Sequence, residues 1–215
     1  MDLAADFVLA STRLVETPAV PEIRLHLADD LIELWERTQE ALDCLSLPPP
    51  FWAFAWVGGQ ALARFLLDHP GVVAGRQVLD LASGSGLVAI AAAMAGAAAV
   101  TASDVDRFAV AAVALNAEAN GVAVAGTLGD VLDGDSGGAG VVLVGDAFYE
   151  RSMADRVLGF LERARAGGAS VLVGDVGRPF LPRDRFQALA SYEIPAAGSL
   201  EDSDVKLSTV WQPAW

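Results

Sequence analysis

The chain is poor in the residues that most often announce a chemistry. Its 215 residues hold one cysteine, Cys44, so no intrachain disulfide can form. Two histidines, His26 and His69, are too few and too scattered for a metal centre, and none is expected. Lysine is nearly missing: Lys206 stands alone, and the arginines are spread singly, so no basic patch exists. With a net charge of −14 the chain repels phosphate backbones, and nucleic acid is not expected as a partner. The longest apolar run, Leu87 to Val100, is alanine-rich, broken by Gly96 and shorter than the ~20 residues of a membrane span. The N-terminus, Met1 to Thr12, carries Asp2 and Asp6 without a basic segment, unlike a secretory signal. No internal repeat or low-complexity linker divides the chain. These features lead us to expect one cytoplasmic domain over residues 1–215, and they leave the oligomeric state open.

Hydrophobic residues make up 53 % of the chain, enough for a large buried core. Residues 1–70 read as a preface: a short strand over 17–27, then a helix capped by Asp29 or Asp30 and running to about Leu42. Pro48-Pro49-Pro50 stops any helix, and a helical pattern from Gln60 to Asp68 follows. From Arg76 the rhythm changes. Strands are expected at 77–81, 98–103, 122–128, 140–145 and 170–174, with helices at 86–95, 107–119 and 152–166 between them. Short apolar strands alternating with helices imply parallel strands covered on both faces. Two further strands, 186–193 and 205–211, have no helix between them. The pattern predicts an α/β, Rossmann-like, doubly wound sheet of seven strands over 71–215, mostly parallel with an antiparallel closing strand.

The segment Asp80-Leu81-Ala82-Ser83-Gly84-Ser85-Gly86 is a strand entering a glycine-rich turn at a helix start, where open α/β sheets bind ligands. Gly84, Gly86 and Ala89 also satisfy the nicotinamide pattern, with Asp104 about twenty residues on for ribose hydroxyls. Two features favour a different cofactor. Asp80 would meet a dinucleotide's pyrophosphate with a carboxylate, whereas S-adenosyl-L-methionine has no phosphate and carries an ammonium and a sulfonium. Asp130, after the third strand, would reach an adenine amino group. Asp80, Asp104 and Asp130 are thus expected to point at one crevice, with Val105 and Val131 beside them. The strand at 140–145 runs into Asp146-Ala147-Phe148-Tyr149, a carboxylate and an aromatic wall where the transferable methyl would face. Asp146 and Tyr149 would hydrogen-bond and orient an amine nucleophile in a pocket that excludes water.

The region from Arg76 to Asp175 resembles the class I methyltransferase signature, with Ala82 where a glycine is usual. A narrower resemblance rests on Pro50-Phe51-Trp52-Ala53-Phe54-Ala55-Trp56-x-Gly58-Gly59-Gln60-Ala61-Leu62, the glycine turn, Asp146-x-Phe148-Tyr149, Pro21 to Leu27 and Ser208-Thr209-Val210-Trp211. These segments look like the seven-β-strand lysine methyltransferases of the electron transfer flavoprotein beta subunit. The resemblance implies that the Trp-rich segment lines the cofactor site, nominating Trp52, Trp56 and Gly59. It also implies that Asp146 and Tyr149 serve the lysine, and that the partner is a protein. Related bacterial enzymes modify a ribosomal stalk protein, and the same pocket would serve a small amine metabolite. A binding module that has lost catalysis is the reading from another class. The acidic run Glu201-Asp202-x-Asp204 reads as a solvated loop.

Overall fold

The computed structural model describes residues 3–41, 49–195 and 205–215; Leu42, Cys44, Pro48 and the acidic run at 201–204 lie outside the described residues. In chain order the elements are α1 (Leu3–Ser11), β1 (Arg13–Thr17), β2 (Val20–Leu27), α2 (Leu31–Ala41), α3 (Val57–Asp68), β3 (Gln77–Leu81), α4 (Leu87–Met94), β4 (Ala99–Asp104) and α5 (Arg107–Ala119). There follow β5 (Ala125–Leu128), β6 (Val141–Gly145), α6 (Arg151–Ala166), β7 (Ser170–Asp175), β8 (Phe186–Pro195) and β9 (Val205–Pro213). Seven strands form one sheet in the order β5-β4-β3-β6-β7-β9-β8. β3 to β7 are parallel, and β9 lies antiparallel between β7 and β8. The chain winds outward from β3 to β5, then returns to β6 on the other side. That reversal leaves a crevice at the carboxyl ends of β3 and β6.

Side chains alternate across the sheet with a period of two. Val78, Val100, Leu143 and Leu172 pack with α3, α4 and α5, whereas Leu79, Leu81, Val142, Val144, Val171 and Val173 pack with α6. Along α6, Val157, Phe160 and Leu161 are fully buried, each burial stabilising by roughly 1.5–3 kcal/mol. The helices start where the sequence supplies acceptors. Asp106 accepts the Phe108 N–H at 2.8 Å to open α5, and Glu150 accepts the Ser152 N–H at 3.1 Å to open α6. Asp30, rather than Asp29, caps α2 through the N–H groups of Ile32 and Glu33.

The preface differs from expectation in two respects. The strand expected over 17–27 is the second arm of a hairpin, β2 pairing antiparallel with β1. Helix α1, not foreseen, packs Ala4 and Val8 into a cluster with Trp52 and Phe108. Among the described residues no helix is long and apolar enough to cross a membrane.

Candidate active site

Four glycines bring α3 onto the sheet. Gly145 and Gly174 are register partners near the ends of β6 and β7, and Gly58-Gly59 of α3 crosses directly above them. A Cβ on Gly174 would lie 2.1 Å from the Gly58 carbonyl oxygen, and one on Gly145 would lie 3.0 Å from Gly59 Cα. This approach delivers the first N–H groups of a helix to the strand tips. The Gly58 N–H donates to Asp146 Oδ2 at 2.7 Å. Arg178 Nε donates to Asp146 Oδ1 at 2.6 Å, so both carboxylate oxygens have a partner. Arg178 is itself placed by Asp175, whose buried Oδ1 accepts the N–H groups of Gly177 and Arg178 at 2.6 and 2.8 Å. Burial and the nearby Asp146 push the Asp175 carboxyl up to about 6 against these N–H bonds.

A cavity of ≈ 530 Å³ opens at the ends of β3, β4 and β6. Trp52, Trp56, Ala82, Gly84, Asp104, Val105, Asp130, Val131, Asp146 and Tyr149 line it, so the structure brings most of the sequence-nominated residues to one surface. Gly59, Asp80, Ser83 and Gly86 are not on that surface, and each has another place. Gly59 lies in the glycine seam. Gly86 opens α4 at φ +80°, against Val113. Ser83 donates its backbone N–H to the Ser103 carbonyl at 3.1 Å, while its hydroxyl has no partner among the described residues. Asp80 does not point at the crevice. It shares the parity of Val78 on β3, faces α4, and accepts the Ala89 N–H at 3.1 Å from a site 1 % exposed. Burial pushes its carboxyl up to about 8, with the charge of Asp104 adding to the shift.

Asp104 reaches the cavity as expected. Its Oδ2 accepts the Gly84 N–H at 2.9 Å and its Oδ1 the Asp106 N–H at 3.0 Å. Burial raises its pKa, and those N–H bonds oppose the rise. Asp130 is at the rim, paired with Arg156 at 2.8 Å, which holds its carboxyl below the usual range. Tyr149 stays partly open to solvent, its ring 5.5 Å from that of Phe51. Burial of the phenol, with the charge of Asp104, raises its pKa, so Tyr149 stays protonated near neutrality. The Arg178 guanidinium lies 5.9 Å from the Trp56 ring centroid, and Trp56 Nε1 donates to the Phe51 carbonyl at 2.8 Å.

Arg178 and Asp175 escaped the sequence reading, yet a signal was there. Residues 142–146 and 171–175 are both Val-Leu-Val-Gly-Asp, and the two copies pair in register from Val142–Val171 to Gly145–Gly174. The aspartates that follow the paired glycines must therefore be neighbours. A five-residue echo is too short to count as a repeat, but it marks the site.

These residues fit a phosphate-free, cationic nucleoside. Asp104 meets the glycine turn at the cavity wall, the two arginines lining the cavity are bonded to Asp146 and Asp130, and the remaining walls are largely aromatic and aliphatic. When bound, S-adenosylmethionine supplies an activated methyl group. Solved structures share the architecture. A ribosomal protein L11 methylase from Lactobacillus delbrueckii subsp. bulgaricus superposes with a TM-score of 0.50 at 19 % identity, over 71 % of this chain and 76 % of that one. A Pyrococcus abyssi tRNA (uracil-54, C5)-methyltransferase in complex with S-adenosyl-L-homocysteine superposes with a TM-score of 0.52 at 20 % identity, over 70 % and 38 %. The family model of ribosomal protein L11 methyltransferase (PrmA) matches residues 61–141. Fold, cavity and relatives together define an S-adenosylmethionine-dependent methyltransferase.

The relatives narrow the class further. The chain is 38 % identical over 213 residues to the electron transfer flavoprotein beta subunit lysine methyltransferase of Xenopus laevis, covering 95 % of this chain and 85 % of that protein. It is 37 % identical over 197 residues to the human enzyme of that name, covering 89 % and 74 %. The chain belongs to the electron transfer flavoprotein beta subunit lysine methyltransferase family.

Proposed function

We propose that this enzyme transfers a methyl group from S-adenosylmethionine to the side-chain nitrogen of a lysine in an electron transfer flavoprotein beta subunit. The observation that carries the reading is Asp146 and Tyr149 on the cavity wall, in a chain aligned with the lysine methyltransferases along nearly its full length. The L11 methyltransferase of Exiguobacterium, in contrast, is matched over 41 % of its length.

An unperturbed lysine near pKa 10.4 needs about 4–5 kcal/mol to deprotonate at pH 7. Desolvation in the cavity lowers that cost. Asp146 is fixed by Gly58 and Arg178 as a hydrogen-bond acceptor, and Tyr149, protonated, adds a hydroxyl that donates or accepts. Both residues orient the nitrogen. The net charge of −14 supports the approach of a cationic side chain. Mass spectrometry of purified flavoprotein beta subunit after incubation with the enzyme and S-adenosylmethionine should reveal increments of ~14 Da, one methylene per methylation, on a lysine. An unchanged mass would retire the substrate while leaving the fold and family intact.

A further inference from the structure

We propose that Arg178 is a positioning residue that makes the acceptor end of the cavity a place for a neutral amine rather than an ammonium ion. The proposal rests on reading the Asp146–Tyr149 end as the acceptor site.

A bare carboxylate beside a lysine nitrogen favours the protonated form, which has no lone pair to attack a methyl group. An enzyme that uses an aspartate to orient an amine must therefore weaken that carboxylate's pull on the proton. Here the pull is opposed from two sides. The Gly58 N–H, at the positive end of α3, takes Oδ2, and the Arg178 guanidinium takes Oδ1. Asp146 is only 3 % exposed in its side chain, so little water screens the pair.

Anionic groups crowd the pair, while of the other cations nearby Arg183 lies against Gly177 and Arg156 is paired with Asp130 and Asp133. Asp175 adjoins Asp146 from β7, Glu150 and Tyr149 follow it on its own segment, and Asp104 faces Tyr149 from β4. Arg178 is the cation that offsets this set. Its place is built rather than accidental. Asp175 pins the turn through two backbone N–H groups, Gly177 takes φ +96°, and Trp56 flanks the guanidinium. Asp175, pushed up to about 6, is itself mostly ionised at pH 8, which increases the demand on Arg178.

The test compares Arg178→Gln and Arg178→Lys with wild type by two readouts. The first is the pH profile of kcat, which titrates the bound lysine, for methylation of the flavoprotein beta subunit. Removing a cation at this distance moves a neighbour's pKa by about one unit or more. The acidic limb should therefore shift up by about one unit in Arg178→Gln and stay near wild type in Arg178→Lys. The second is NMR titration with n-butylamine, a lysine side-chain mimic, at pH 7 with and without S-adenosylhomocysteine. Butylammonium should bind Arg178→Gln about tenfold more tightly than wild type, the same one-unit change read as affinity.

Equal or weaker butylammonium binding, or an unmoved limb with evenly reduced activity, overturns the proposal and leaves Arg178 a structural residue. If wild type fails to methylate the flavoprotein subunit, the substrate reading falls, and the butylammonium titration alone decides the role of Arg178. Arg178→Met, which keeps the aliphatic stem, replaces Arg178→Gln should that variant fail to fold.

Discussion

Ala82 sits at φ +53°, on the turn between β3 and α4, in the region where a Cβ crowds the following carbonyl. An alanine there costs roughly 1–2 kcal/mol, against the ~0.5–1 kcal/mol that a glycine loses in unfolded-state entropy. Ala82→Gly should therefore raise stability by up to about 1 kcal/mol, or ~2–4 °C in melting temperature for a chain of this size. Thermal melting checks it, and a loss of stability would mean that the Cβ packs usefully against the cavity wall. Single residues were unevenly legible in the sequence. Asp104 could be placed because it ends a strand beside the switch point. Asp80 could have been placed too: two positions after Val78 on a period-two strand, it must face the same helix layer as Val78. Its acidity drew attention to the cofactor, whereas its parity determined its burial. Arg178 lies in the loop after β7, where no periodicity applies, and only the echo of Val-Leu-Val-Gly-Asp brings its anchor Asp175 beside Asp146.

Among the elements, α3 has the greatest bearing on the site, because its first turn supplies the N–H that holds Asp146. Its docking depends on bare backbone at Gly58 and Gly174. A Cβ on Gly174 would meet the Gly58 carbonyl oxygen at 2.1 Å and Leu62 Cβ at 2.8 Å, and neither atom is the end of a flexible side chain. Gly174→Ala should cost about 1–3 kcal/mol as overpacking and lift the start of α3 from the sheet. Methylation should then fall by more than the folded fraction does, as measured by activity and circular dichroism on the same samples. An alanine variant with wild-type activity would show that α3 can shift without disturbing Asp146. Most helices and parallel strands were readable because burial on both faces leaves apolar runs ended by glycine or capped by aspartate. Helix α1 was not, since Leu3-Ala4-Ala5-Asp6-Phe7-Val8-Leu9 is apolar nearly all round and shows no stripe. The turn between β1 and β2 carries Pro18-Ala19 rather than a glycine or asparagine pair, so the hairpin had no turn signal.

At the scale of the whole molecule, the sheet gathers carboxylates at one end, and this sets how stability responds to pH. Asp80, Asp104, Asp106 and Asp175 all have raised pKa values, with burial the largest cause in each. A carboxyl whose pKa is higher in the folded state binds its proton more tightly there than in the unfolded chain. Its effect on stability is therefore favourable at low pH and is lost as pH rises from about 4 through the folded value. For Asp175 that loss runs to about 6, and for Asp80 to about 8. Glu22 and Asp130, lowered by Arg64 and Arg156, act in the opposite sense, and only below about 4. The free enzyme should accordingly melt highest in mildly acidic solution and lose stability steadily from pH 5 to pH 8. Asp80→Asn can still accept the Ala89 N–H through its amide oxygen but has no charge to desolvate, so the slope above pH 6 should flatten. A gain of about 2 kcal/mol at pH 8 would appear as ~4–8 °C in melting temperature. S-adenosylhomocysteine carries an ammonium group whose charge favours ionised carboxylates, so it should raise the wild-type melting temperature more at pH 8 than at pH 6. Scanning calorimetry across that range, with and without the ligand, tests both. A slope that Asp80→Asn leaves unchanged would move the source of the pH dependence away from β3.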